Sequence, residues 1–542
     1  MNWKRYKALP PDDKFNDTYY IIGLDIGAES SAIAFYNLHE HSPEPIDLSG
    51  GYGKPSIPTV MQYIAETKEW VFGEYAILNQ GAGTEITLKS LVRRLGHFDY
   101  LDVGSKSINA AAILGIFIKE MLASVRNINP RAEIVGIVAA VPAYFSQQAH
   151  EELRRAFKHA GYEKELIALV PDRECIFALH YMNAPPKDEK VLLLDYGSQE
   201  VRGGVYHLLP DIPGDEIHHA GDRPAHRFTP ADFFNGEHIT AKSLSSLFDE
   251  NIGTGMISED VHALFESYYQ AATRGHEPDD SISAAEQITA FAHQHKDMLF
   301  QKNIRVKPAK LYFNFVYPPF QQTITHAEAD ALIKPYRQRF NRFIRDTLEK
   351  TLGSKVIPPR SINTVLCIGG GFEMLWAREA VGAIFTSSQI HIYRNTKLAT
   401  AEGAALVAAK LLGIARGCYI TVEDKHQLVS DIGLKSGDAF LPLVEHGRFW
   451  WQKHKPTLVL ANNPVDGELH LQLAKRTATG ETLPLAAYNL TGLPTRPKGT
   501  TRLKFDAVFE SHAELSLSVE DMGFGELFPK TDYVRELTVR LG

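Results

Sequence analysis

A chain of 542 residues is too long for one hydrophobic core and implies about three or four structural units. Its composition, 44% hydrophobic and 23% charged, is that of a globular protein, and a net charge of -8 argues against nucleic acid or an anionic membrane as partner. The cysteines Cys175, Cys367 and Cys418 are too widely spaced for a metal site or a disulfide framework, and read as reduced residues of a cytoplasmic protein.

Residues 1–15 are polar and contain Pro10-Pro11, which reads as an N-terminal extension without the apolar core of a signal peptide. Next come two apolar strands, 19–26 and 31–37, forming a hairpin that delivers Asp25 to the end of the first strand and turns at Gly27. Such a turn is shaped to hold phosphate, yet Glu29 stands in it, and a carboxylate repels phosphate oxygens. A helix at 108–126 is broken by Lys119 and Glu120 and so reads as a core helix, not a membrane span. A strand at 133–141 leads into a helix from Ser146, as N-cap, to Gly161, and a strand at 166–170 feeds a helix near 173–183.

The pattern then repeats. Val191 to Gly197 has the same apolar strand, Asp, X, Gly arrangement as Ile21 to Gly27, and Val201 to Tyr206 supplies the returning strand. Two such hairpins, each opening an α/β segment, predict two related lobes facing each other across a cleft that could clamp a nucleotide. A mainly helical insertion is expected at about 236–325, ending in a capping box, Thr325-His-Ala-Glu328. The helix behind it carries Leu332, Ile333, Tyr336, Phe340, Phe343, Ile344 and Leu348 on one face, with a kink at Pro335. A buried strand then runs into the glycine turn Gly369-Gly-Gly371, and a small-residue helix closes the segment at 396–412. From Tyr419 onward short alternating runs predict an antiparallel β-sandwich, with Trp450 and Trp451 as surface contacts. His218, His219, His226 and His238 lack ligand spacing and read as a loop.

At these residues the chain resembles the Hsp70 family, within the actin, sugar-kinase and Hsp70 superfamily. Val141-Pro-Ala-Tyr-Phe145, the two Asp-X-Gly hairpins, Ile368-Gly-Gly370, Ala399 to Ala405 and Leu490 to Gly499 carry the resemblance. It implies a two-lobed actin-like ATPase fold with ribonuclease-H-like lobes, the first at 16–186 and the second at 187–413, followed by a β-sandwich substrate domain at 414–542. It also implies ATP and magnesium as cofactors, Asp25 and Asp195 holding the metal through water and Lys89 contacting the transferred phosphate. Gly27, Gly197, Lys296, Gly369 and Gly370 match other parts of the nucleotide site.

Other positions depart from the family pattern. Ala28-Glu29 replaces paired threonines in the first phosphate turn, and Ser198-Gln199-Glu200 replaces a glycine-rich second turn. Arg202 stands for an aspartate and Arg173 for the glutamate that positions attacking water, though a one-residue shift offers Asp172 or Glu174. On the base side Glu373, Asp297 and Phe300 stand for two arginines and a serine. Phosphoryl transfer rests on positioned donors, metal and oriented water, so these losses predict weak or absent hydrolysis. Arg173 and Arg202 are expected to pair with Glu29 and Glu200, joined by Lys89 and Asp25, in place of nucleotide and magnesium. In the sandwich Gly467, Leu469 and Leu471 fall where the family lines a peptide groove. The leading expectation is an Hsp70-like protein that binds a protein or peptide partner without hydrolysing ATP. The second is a chaperone ATPase that binds ATP-Mg weakly, and no sugar-binding constellation favours a small-molecule kinase.

Overall fold

The computed structural model describes residues between Thr18 and Leu541, except 49–54, 79–84, 211–237, 274–286, 301–306, 315–318, 350–355, 424–427, 447–455, 462–466 and shorter gaps. Expectations placed on the N-terminal extension, Ser146, Lys296, Asp297, Trp450, Trp451, His218, His219 and His226 lie outside the described residues. Two compact units are present. One comprises Met1–Pro142, His150–His218 and Phe228–Glu423; the other comprises Asp424–Gly542 with the short stretches 143–149 and 219–227.

The first unit holds two six-stranded sheets. One contains β1 (Tyr19–Ile26), β2 (Ser30–Asn37), β3 (Ser42–Pro45), β4 (Glu133–Val141) and β5 (Leu166–Pro171) in the order β5-β4-β1-β2-β3, with Ser56–Pro58 also paired to β2. The other contains β6 (Glu189–Tyr196), β7 (Val201–Pro210), β8 (His238–Asp249), β9 (Thr364–Ile368), β10 (Ile390–Ile392) and β11 (Tyr419–Glu423) in the order β10-β9-β6-β7-β8-β11. In each sheet the first hairpin strand has parallel strands on one side and antiparallel ones on the other. The continuous apolar runs of β1, β4 and β6 explain why these strands sit centrally, buried on both faces.

Helices cover the sheets. They are α1 (Ala110–Ala123), α2 (Gln147–Ala160), α3 (Asp172–His180), α4 (Thr254–Thr273), α5 (His326–Glu349), α6 (Leu375–Gly382) and α7 (Ala399–Leu411). Asn109 caps α1 by accepting from the Ala111 N–H at 2.9 Å, and Gly161, at φ +87°, follows the end of α2. Helix α7 lies directly on β1: a Cβ at Gly23 would come 2.1 Å from Ala405 N and 2.2 Å from Ala401 O. On its other side, a Cβ at Gly403 would come 2.2 Å from the Cys175 carbonyl oxygen of α3.

The box at the start of α5 is formed as its sequence requires. Thr325 N and Oγ1 each donate to Glu328 at 2.8 Å, and Glu328 N donates back to Thr325 Oγ1 at 3.3 Å. Thr325→Ala is expected to cost about 1 kcal/mol of stability, read as a shifted urea midpoint at unchanged slope. Pro335 lies inside α5, and Ile333, Tyr336, Phe340, Phe343, Ile344 and Leu348 are buried.

Two expectations are corrected. Residues 238–249, assigned to a mainly helical insertion, form the twelve-residue strand β8, followed by α4 and by a hairpin of Ala309–Phe313 with Phe320–Ile324. Residues 419–423, expected to open the sandwich, form β11, paired in parallel with β8 from His238↔Tyr419 to Lys242↔Glu423.

The second unit contains two four-stranded antiparallel sheets. The first, in the order β13-β12-β15-β16, comprises β12 (Ser430–Ser436), β13 (Ala439–Val444), β15 (Leu469–Thr477) and β16 (Thr482–Leu490). The second, β14-β17-β18-β19, comprises β14 (Thr457–Ala461), β17 (Thr501–Ser511), β18 (Glu514–Asp521) and β19 (Val534–Arg540). Alternate residues of both sheets, including Leu473, Leu503, Phe505, Leu515, Leu517 and Val539, meet in one core. Among the described residues no helix is long and apolar enough to cross a membrane.

Candidate functional site: a charged cluster at the two hairpins

The two hairpin turns close alike, Gly27 N donating to Ser30 O at 3.2 Å and Gly197 N to Glu200 O at 3.0 Å. They bring Asp25 and Asp195 to the ends of β1 and β6, while α3 begins with Asp172. Gly369, at φ +86°, follows β9, and a Cβ there would come 2.7 Å from Asp195 Oδ1, so only glycine lets the backbone pass.

Arg202 joins these carboxylates. It sits opposite Asp195 in the β6–β7 register, where cross-strand neighbours of opposite charge meet. Its guanidinium donates to Asp195 and, at 2.5 Å, to Asp172 Oδ2, and lies 3.6 Å from Glu200 Oε1. The other Glu200 oxygen is 3.6 Å from Arg93, and Gln199 Nε2 donates to Ser90 Oγ at 3.1 Å. Ser90 holds a left-handed backbone, φ 54°, beside Lys89. The second hairpin turn is thereby tied to the segment that follows Lys89.

Burial pushes the Asp25 carboxyl up to about 7, and Asp195 and Asp172 push the same way against Arg202. Burial also raises Asp195, with Arg202 opposing. The donor set does not fit a water-coordinated magnesium ion well. Asp195 is already engaged by Arg202, whose positive charge would face the metal.

The expected pairing is corrected in its membership. Arg173 meets Tyr206: its guanidinium donates to Tyr206 Oη at 2.9 Å and lies 5.6 Å from that ring. Successive helix residues point about 100° apart, so Asp172 faces Arg202 and Arg173 turns inward. Among the described residues Glu29 and Lys89 make no ion pair, and Asp25 is coupled to the cluster by charge, not by a bond to an arginine. Arg93 and Ser90 were not singled out in the sequence. Their only signal was position, next to Lys89.

On the base side Glu373 pairs with Lys397 at 3.2 Å, and the Lys397 chain covers Gly370, where a Cβ would come 2.7 Å from Lys397 Cε. Phe300 is buried in the core behind β6 and β7, and Ala28 and Ser198 occupy the turns. In the second unit Gly467, at φ +79°, accepts from the Leu493 N–H at 3.0 Å. Leu469 is half-buried against the sandwich core, and Leu471 is part of that core. His238 Nε2 is 2.9 Å from Thr421 Oγ1, so it serves the β8–β11 contact.

Residues 42–208 match the C-terminal model of a family of unknown function (DUF5716), and residues 427–541 match a domain of unknown function (DUF8552). Over nearly its whole length the chain is similar to chaperone proteins DnaK. It is 21% identical to that of Thermosipho africanus, over 94% of this chain and 79% of the relative. It is 20% identical to that of Cenarchaeum symbiosum (93% and 71%) and 22% to that of Thermotoga petrophila (94% and 79%). Similarity that is low but spans both units supports an Hsp70-like relationship.

Proposed function

We propose that this is an Hsp70-like, chaperone-related protein that binds a protein or peptide partner and has lost, or nearly lost, ATP hydrolysis. On this reading the two sheets of the first unit are the actin-like lobes and the second unit is the partner-binding sandwich. The observation that carries it is Arg202, bonded to both Asp195 and Asp172 at the end of the second hairpin. An internal guanidinium supplies the positive charge that magnesium would otherwise bring. Glu29 and Glu200 add the opposing term: a carboxylate about 4 Å from a phosphate oxygen costs about 4 kcal/mol at an effective dielectric near 20, roughly a thousandfold in affinity.

The second reading, a chaperone ATPase that binds ATP-Mg weakly, draws on the retained Asp25, Asp195, Gly27, Gly197, Gly369 and Gly370 and on Lys89, which is exposed. Calorimetric titration with ATP-Mg separates the two. The unmodified protein is expected to give no micromolar binding, and Glu29→Thr with Glu200→Thr to recover part of it. Micromolar affinity in the unmodified chain would overturn the leading reading.

A further inference from the structure

The last turn of α7 is fastened to the following strand through a buried amine. Lys410 is 2% exposed, and its Nζ donates to the carbonyl oxygen of Cys418, the residue before β11, at 3.0 Å. The titratable groups facing it are Glu174 from α3 and Cys418 and Tyr419 from the β11 segment; Val170 on β5 adds an apolar wall. Together they enclose about 10 Å³, room for about one water. Among the described residues no carboxylate lies within ion-pair distance of the ammonium, so its charge is buried against a carbonyl dipole alone.

Strand β11 is held at further points. Val422 N donates to Glu174 Oε1 at 3.2 Å, and His238 meets Thr421. It is the last strand of its sheet, and beyond it the chain passes into the second unit. Its attachment is therefore an edge pairing with a lysine at its root.

We propose that Lys410 makes the hold on β11 proton-sensitive: the neutral amine fits the buried place and fastens the strand to α7, and the ammonium loosens it. Burial brings the amine down to about 8 from its usual 10.5, with Cys418 opposing weakly. When the strand detaches, the amine returns to water and to its ordinary value. Between about pH 8 and 10.5 the attached state has lost a proton that the detached state keeps, so attachment tightens as pH rises through that window. The gain approaches about tenfold per pH unit.

Hydrogen exchange of the full chain at pH 7 and pH 9, corrected for intrinsic exchange, reads this directly. Protection of the amides of 418–423 is expected to rise about tenfold, while amides at the centre of β4 stay unchanged. Lys410→Met has no proton to lose and Lys410→Arg does not lose its own, so both are expected to give a flat profile. Glu174→Gln and Cys418→Ser are expected to keep the rise. A flat profile in the unmodified chain, a rise that persists in either Lys410 variant, or its loss in Glu174→Gln or Cys418→Ser would overturn the proposal.

Discussion

Replacing Arg202 with alanine is expected to lower the unfolding free energy by about 3 kcal/mol and to make the protein responsive to divalent cations. The guanidinium is less than one-third exposed and is bonded to Asp195 and Asp172 with Glu200 beside it. Its removal leaves Asp195 and Asp172 facing each other and Asp25 without the guanidinium between them, while Arg93 stays beside Glu200. A ligand that binds only the folded form stabilises it in proportion to the logarithm of its concentration. Urea unfolding of Arg202→Ala should therefore recover with millimolar magnesium, and that of the unmodified chain should not. Equal magnesium response in both proteins, or a loss below about 1 kcal/mol, would remove Arg202 from the role of internal cation.

The same cluster sets a pH dependence. Asp25 has its carboxyl raised from 3.8 to about 7, so between those values the folded chain keeps a proton that the unfolded chain has released. Stability contributed by this group is full below pH 3.8, falls as pH rises and is gone above about 7. Asp25→Asn should flatten that slope.

The second large effect is expected in the sandwich. Arg496 and Asp521 form a bidentate pair at 2.7 Å for each bond, with side chains 5% and 0% exposed. Asp521 also accepts from Thr531 N at 3.0 Å, Thr531 Oγ1 at 2.8 Å and Gly523 N at 3.1 Å. Arg496→Met strands a buried carboxylate and is expected to cost about 3–5 kcal/mol, seen as lost exchange protection across residues 514–540 in the full chain. Burial alone would raise the Asp521 carboxyl; the bonds from Arg496, Thr531 and Gly523 outweigh it and hold the group at about 2. Its contribution is present above pH 3.8 and disappears as pH falls toward 2. Unchanged protection in Arg496→Met would show that residues 514–540 do not depend on the pair.

Central strands were legible because a strand buried on both faces is written as an unbroken apolar run: Tyr19–Ile26 and Glu133–Val141 match their expected limits. Strand β8 was not, because its inward positions carry Ser243, Ser245 and Ser246. Ser245 Oγ accepts from Val205 N at 3.1 Å and Ser243 Oγ donates to Ser245 O at 3.3 Å, so hydroxyls satisfied inside the sheet take the place of the apolar signal. Strand β11 shows a different limit. Alternation says that Tyr419–Glu423 is extended, and says nothing about which edge it will join. At the two hairpins, the residue types point to an arginine among carboxylates, and Arg202 meets Asp195, Asp172 and Glu200. Which residues meet there depends on helix phase and strand register, which set Asp172 against Arg202 and Arg173 against Tyr206.

Helix α7 meets β1 at Gly23 and α3 at Gly403 with backbone against backbone. Most helices rest on their neighbours through side chains that can change rotamer and absorb a shift. A helix seated this way is a shim of fixed thickness, and the spacing of the elements on either side is set by the width of the polypeptide itself. Movement of one is passed to the other without slack, so a helix of small residues, through its bare backbone, is built to transmit displacement.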